Sequence, residues 1–254
     1  MKHIETLILG ASAAAFPLAA KFKERCLVAD NGITPGSEFA DTFIYTPFDV
    51  SRPLPTLAAE VRDELVARGL MNESGAFHIP PVGGVLCGRF LETGCKLLAE
   101  TSVASVAHED GAFLVTLFNA KDGYTVYRAE NVIDTRTRSF MPCRTTFAVL
   151  LAGDTHAPSI NNDGVRVQHG LFEDEYAVHF DVPFDASVPE CQKQAYAFLL
   201  SHRADLGKLR VAGIAMRKAH FFDEPYDKTR GGIRYLASES FPTLLDAIAG
   251  GERA

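Results

Sequence analysis

The chain has 254 residues, of which 47% are hydrophobic and 22% charged, with a formal net charge of -7. This is the composition of an ordinary globular protein, long enough for one large domain or a domain with a small companion. The acidic balance argues against nucleic-acid binding, which needs a basic face. The five cysteines are odd in number and form no C-x-x-C pair, which argues against a disulfide framework or a zinc site and fits a reducing cytoplasm.

In chain order, His3–Leu9 predicts a strand, Gly10–Ala15 a turn, and the stretch to about Lys23 a helix. Ala11, Ala14, Ala15, Leu18, Ala19 and Phe22 form its apolar stripe, and Pro17, placed beyond the first turn, is expected to bend it. Cys26–Ala29 is a second strand ending in Asp30. The opening also resembles a short signal peptide. Glu5 ahead of the apolar run, and the strand that completes a βαβ unit, argue against that reading. No stretch reaches the roughly 18–20 apolar residues of a membrane span.

Ser37–Pro55 reads as irregular. Thr56 is expected to cap a helix running to about Arg68, which Gly69 ends. A further helix follows His78–Pro81 and stops at Gly94. Lys96–Ala99 reads as a strand, and Val103–Ala107 continues it or adds another. Ala112–Asn119 and Tyr124–Ala129 alternate about a turn at Lys121–Gly123, as a β-meander does. Asn131–Thr135 is a separate short strand. The texture then changes: Thr146–Ala152, Val165–His169, Tyr176–Val182 and Leu209–Met216 are strand-like, and one helix lies at about Val188–Ala204. This predicts an antiparallel sheet with a helix on one face. Ile233–Ala237 is a last strand, and Pro242–Ala249 a last helix.

The βαβ opening carries G-x-S-x-x-A where a dinucleotide-binding turn has G-x-G-x-x-G. In such a turn the first glycine makes the bend, the second admits the pyrophosphate, and the third lets helix and strand pack closely. Gly10 keeps the first role. Ser12 puts a side chain at the second, where it either clashes with a phosphate or hydrogen-bonds to it. Ala15 is a tolerated third. The amides of Ala11, Ala13 and Ala14 still point at an anion site. Asp30, followed by Asn31, lies at the offset of about 20 residues expected of the ribose-binding acid.

With four later segments, the chain resembles the FAD-dependent oxidoreductases of the two-dinucleotide-fold type, as a short member with a small substrate domain. The stretch Gly32–Phe39 resembles the one that lies against the flavin, which implicates Ser37, Glu38 and Phe39. The strand through Val103 resembles the one whose backbone meets the adenine. Ala129-Glu130-Asn131-Val132-Ile133-Asp134-Thr135 resembles the family's A-x-x-V-I-x-A-T-G strand, and implicates Thr135 and Arg136. The end of the chain resembles the last helix, whose N-terminus, at Pro242 and Thr243, approaches the cofactor.

The sequence departs from the family's pattern at Ser12, at Thr135-Arg136-Thr137 in place of A-T-G, and at Ala237-Ser238-Glu239-Ser240 in place of a Gly-Asp pair. Arg136 is a bulky cation near the phosphates, though it is able to pair with one. The resemblance implies an α/β fold. A Rossmann-like FAD/NAD(P)-binding domain, residues 1–140 and 216–254, carries the β-meander, and a small antiparallel α+β substrate domain occupies 141–215. It implies bound FAD and an oxidoreductase passing a hydride between flavin and a small organic substrate. Two alternatives stand beside it: a non-catalytic subunit or binding protein that has lost FAD, and a site for NAD or another adenine nucleotide. A homo-oligomer or a partner subunit is left open.

The resemblance puts Tyr226 and Arg230 on the substrate side. Arg217, Lys218 and His220, near Asp223 and Glu224, form a polar cluster that reads first as a solvated strand end and second as a carboxylate-binding or proton-transfer group. The eight histidines show no metal-ligand clustering, so no metal is expected. No G-x-S-x-G elbow anchors a hydrolase triad. Cys87 reads as a small buried hydrophobe.

Overall fold

A computed structural model describes residues 1–136, 142–160 and 163–254. Thr137 and the expected domain boundary at 140–141 lie outside them. Two sheets organise the chain. In the first, β1 (Lys2–Leu9) lies between β2 (Cys26–Ala29) and β6 (Gly123–Asp134), parallel to both. β3 (Lys96–Leu98) extends the parallel set beyond β2, and β13 (Ile233–Leu236) pairs parallel to β6 on the other side, with β12 (Asp227–Arg230) antiparallel at its edge. The meander is β4 (Thr101–Glu109), β5 (Ala112–Asn119) and the first half of β6.

Side-chain alternation along β1 divides the core. Ile8 faces a large apolar cluster shared with the helices. Leu7 and Leu9 face a second cluster with Phe113, Val115 and Leu117 of the meander. Burial on both faces is what a parallel strand requires, and explains the near-continuous apolar run at its end. Each fully buried leucine contributes about 1.5–3 kcal/mol relative to exposure. The helical layer contains α1 (Ala15–Phe22), α3 (Thr56–Ala67), α4 (Val82–Glu92) and α6 (Leu244–Arg253).

The second sheet is antiparallel. β7 (Arg144–Ala152) pairs with β9 (Glu175–Asp181) on one side, and with β10 (Arg210–Ile214) and β11 (Ala219–Phe221) on the other. β8 (Val165–His169) lies beyond β9. α5 (Val188–Ser201) packs Cys191, Ala195 and Leu199 inward, and Ser187 with Glu190 closes a capping box at its start. β11 carries this sheet past residue 215.

Several expectations are corrected. α1 begins at Ala15, so Pro17 falls in its first turn and not beyond it; in that turn the missing N–H has no intrahelical partner to lose. Thr56 is the first helical residue of α3, not its cap. Its first-turn amides are capped from α6, where the Glu252 carboxylate accepts from the Leu57 and Ala58 N–H groups. Tyr124–Ala129 and Asn131–Thr135 are one strand, β6, which changes neighbours midway. The segment read as irregular contains a single helical turn, α2 (Ser37–Ala40), and a 3-10 turn, Ser238–Ser240, precedes α6. The last helix begins at Leu244, with Thr243 as its N-cap.

Candidate dinucleotide site

The carboxyl ends of β1, β2 and β6 converge, and the turns after them meet. Gly10 takes φ +98° and donates its N–H to Ala29 O at 2.8 Å. A Cβ at this position would stand 2.8 Å from both Thr135 Oγ1 and Arg136 Cγ, so only glycine fits. Thr135 Oγ1 donates to the carbonyls of Leu9 and Gly10, tying the end of β6 to the turn. Gly10, Ser12, Asp30, Asn31, Glu38, Thr135 and Arg136 line one pocket of about 110 Å³, together with Arg217 and Glu239.

The N–H groups of the turn beside that pocket are bonded to the protein's own side chains. Asp30 accepts from the Ala11 N–H at 2.6 Å through Oδ2, and from the Gly32 N–H at 2.5 Å through Oδ1. Glu38 Oε1 accepts from the Ala13 N–H and from Ser238 Oγ, both at 2.7 Å, and Ser238 Oγ in turn accepts from the Ala14 N–H at 3.2 Å. One carboxylate oxygen therefore serves two helix amides, one directly and one through a hydroxyl. Ser12 turns back into the helix, where its hydroxyl accepts from the Ala15 N–H at 3.2 Å. The extra side chain at the second glycine position is thus spent on capping α1.

Glu38 is only 4% exposed. Burial pushes its carboxyl above the usual range, opposed by the Ala13 N–H, Ser238 and the Arg217 charge. Arg217 donates to Ser37 Oγ at 2.7 Å and to Glu239 at 3.2 Å. Arg136 lies across Gly10 and forms a two-pronged pair with buried Asp134, at 2.8 and 2.7 Å.

Glu239 also lines a neighbouring cavity of about 520 Å³. Phe221, Phe222 and Phe241 form apolar parts of its wall, and Arg52, His220, Asp223 and Glu224 contribute polar groups. Burial and the charges of Lys218 and Arg217 hold His220 down to about 4, so its imidazole is neutral near pH 7. Its Nδ1 lies 3.0 Å from Thr145 Oγ1.

The remaining expected site residues separate. Ala13, Ala14 and Ala15 are buried in the turn and at the first residue of α1; none lines the pocket, and their N–H groups donate to Glu38, Ser238 and Ser12. Ser37 is buried beside it, bonded to Arg217, while Phe39 belongs to the main core. Val103 packs against the meander's cluster, away from both cavities. Pro242 lines the larger cavity, and Thr243 caps α6 by accepting from the Asp246 N–H. Tyr226 and Arg230 line neither cavity; the Arg230 guanidinium sits 5.9 Å from the Tyr226 ring centroid at the sheet edge. Sequence reasoning noticed Ser238 and Glu239 only as a departure, and passed over Asp134. The spacing Asp134-x-Arg136 at a strand end is the one local signal for that pair.

As folded, these residues do not fit a bound pyrophosphate. Glu38 and Ser238 hold the amides it would use, Arg136 covers the close approach at Gly10, and 110 Å³ falls below the roughly 300–1,000 Å³ of sites that enclose sizeable ligands. The rest of the frame, with Gly10 at its turn and Asp30 at the end of β2, lies at a topological switch point, where open α/β sheets bind ligands.

No family model and no curated protein matches the sequence. Solved structures do match. The p-nitrophenol 4-monooxygenase PnpA from Pseudomonas putida DLL-E4 aligns with a TM-score of 0.60 at 13% identity, over 92% of this chain and 72% of that one. A flavoprotein/dehydrogenase from Cytophaga hutchinsonii aligns at 0.58 and 12%, over 99% and 76%. The flavin-dependent monooxygenase PieE, solved with FAD and substrate, aligns at 0.59 and 12%, over 98% of this chain but only 56% of its own length. At these identities the likeness is one of fold: this chain shares the α/β fold of these flavoproteins, a parallel-strand sheet with helices and a separate antiparallel sheet.

Proposed function

We propose that the chain is a flavin-dependent oxidoreductase of the hydride-exchanging class, acting on a small organic molecule at the 520 Å³ cavity. The observation that carries this reading is the meeting of Gly10, Asp30 and Thr135–Arg136 at the carboxyl ends of β1, β2 and β6, joined through Glu239 to that cavity. Ligands of open α/β sheets bind at such a switch point. Three phenylalanines with a few convergent polar groups suit a flat, largely apolar substrate. The flavin of such an enzyme supplies the redox chemistry, and the protein supplies binding, orientation and electrostatics.

A second reading has its own observation. The amides of Ala11, Ala13 and Ala14 are bonded to Asp30, Glu38 and Ser238, which favours a flavoprotein fold that serves as a binding protein or subunit without FAD.

The deciding measurement is flavin retention, with absorbance near about 450 nm, together with thermal shift in excess FAD, on the wild type and on Glu38→Ala. Bound flavin and a raised Tm in the wild type support the first reading, since a ligand of the folded state must raise its stability; flavin bound by Glu38→Ala alone supports the second. Two folded, colourless proteins that excess FAD does not stabilise would overturn it in favour of the second. Stabilisation by NAD alone would move the assignment to an adenine dinucleotide of another kind.

A further inference from the structure

We propose that Glu38 is a built-in competitor for the diphosphate of a dinucleotide: its carboxylate occupies the anion subsite at the start of α1 and sets how tightly any such ligand binds. This rests on the reading of the cleft as a dinucleotide site.

The argument starts from donor supply. Ser12 serves the Ala15 N–H at the start of α1, so the Ala13 and Ala14 amides of the turn before it take acceptors from elsewhere. A pyrophosphate satisfies such amides in dinucleotide folds because its charge meets the positive end of the helix. Here the same geometry is completed from within, by Glu38 on Ala13 and by Ser238 on Ala14. Glu38 Oε1 and a phosphate oxygen are alternative acceptors for the same N–H and for the same Ser238 hydroxyl. The backbone holds Glu38 in place: Gly36 donates to Ala11 O at 2.9 Å, and with φ +73° it launches α2 directly against the turn.

Competition is also electrostatic. The pocket wall holds the carboxyls of Asp30, Glu38 and Glu239 against the guanidiniums of Arg136 and Arg217. Arg217 is committed to Ser37 and Glu239, and Arg136 to Asp134. A dianionic diphosphate entering beside the Glu38 carboxyl meets like charge, which the Arg217 charge opposes. Removing the Glu38 carboxylate frees the amides and relieves the repulsion in one change. Glu38→Gln relieves the repulsion and keeps the acceptor.

The experiment titrates purified wild type, Glu38→Gln and Glu38→Ala with FAD and, separately, with ADP, by calorimetry. ADP probes the diphosphate subsite without a flavin. Circular dichroism establishes that each variant is folded. Glu38→Ala is expected to bind both ligands at least about tenfold more tightly than wild type, with Glu38→Gln between them. Variants that bind FAD and ADP no more tightly than a wild type that does bind them overturn the competitor and leave the dinucleotide reading standing. Folded proteins of which none binds either ligand overturn both. Should Glu38→Ala fail to fold, Glu38→Gln alone decides between these outcomes by the same comparison.

Discussion

A buried carboxylate has to be satisfied or neutralised, and Glu38 is caught between the two. Its contacts with Ala13 and Ser238 favour the ion, but desolvation outweighs them and lifts its titration above the ordinary glutamate value. Folding then favours the protonated form. The stability this contributes is complete below the unfolded-state pKa and is lost as pH rises through the folded-state one, above which the charge opposes folding. Glu38→Gln keeps an oxygen for the Ala13 amide and the Ser238 hydroxyl while removing the charge. Thermal melts should therefore give Glu38→Gln a higher Tm than wild type near about pH 8, with the gain shrinking as the buffer is acidified. A wild type that is the more stable protein at every pH would mean that the two hydrogen bonds outweigh the burial of charge.

Elements in this fold are joined by contacts that no local pattern displays. Gly251 of α6 lies so close to the start of α1 that a Cβ there would stand 2.1 Å from Ala14 O. It does for α6 and α1 what the third glycine of the opening motif does for helix and strand. Gly251→Ala should force α6 off α1 and cost about 1–3 kcal/mol in urea unfolding. Unchanged stability would show that the helices shift freely. Periodicity made most elements legible: β1, β5 and α5 follow their apolar patterns, and Gly10 and Asp30 followed from spacing within one βαβ unit. β6 was split in two because Glu130 and Asn131 are exposed where the strand passes from β5 to its other neighbours. The acceptors for the α1 and α3 amides were not legible, because Ser238 and Glu252 come from the far end of the chain. Glu38, though nearer in sequence, read as a residue on a cofactor-contacting stretch; only folding shows its carboxylate turned onto Ala13.

At the scale of the whole molecule, the segment around residues 41–48 clasps the two sheets together. Tyr45 donates its hydroxyl to Glu175 of β9 at 2.6 Å and its N–H to Gln168 of β8. His78 reaches the same Glu175 oxygen at 2.7 Å, and Met216 donates to Asp41 O. His179 of β9 adds a pH-sensitive clasp. It is buried, lies against Thr146 through Nδ1, and donates through Nε2 to Phe43 O at 2.9 Å. Burial, reinforced by the Arg166 charge, holds it down to about 4, while the unfolded chain titrates near 6.5. A histidine kept neutral in this way contributes stability above the unfolded value and loses it as pH falls from about 6.5 toward 4, because the unfolded state takes up the proton first. A shift of that size corresponds to roughly 3 kcal/mol. His179→Gln retains a donor for Phe43 O but does not titrate. It should start below wild type in urea-derived stability at neutral pH and close most of that gap by about pH 4. The difference between the two proteins isolates His179 from His220, which is also held down and titrates in both. A gap that stays constant across the window would mean that the proton binds His179 as readily in the folded molecule as in the unfolded one, and that the joint between the sheets does not answer to acid.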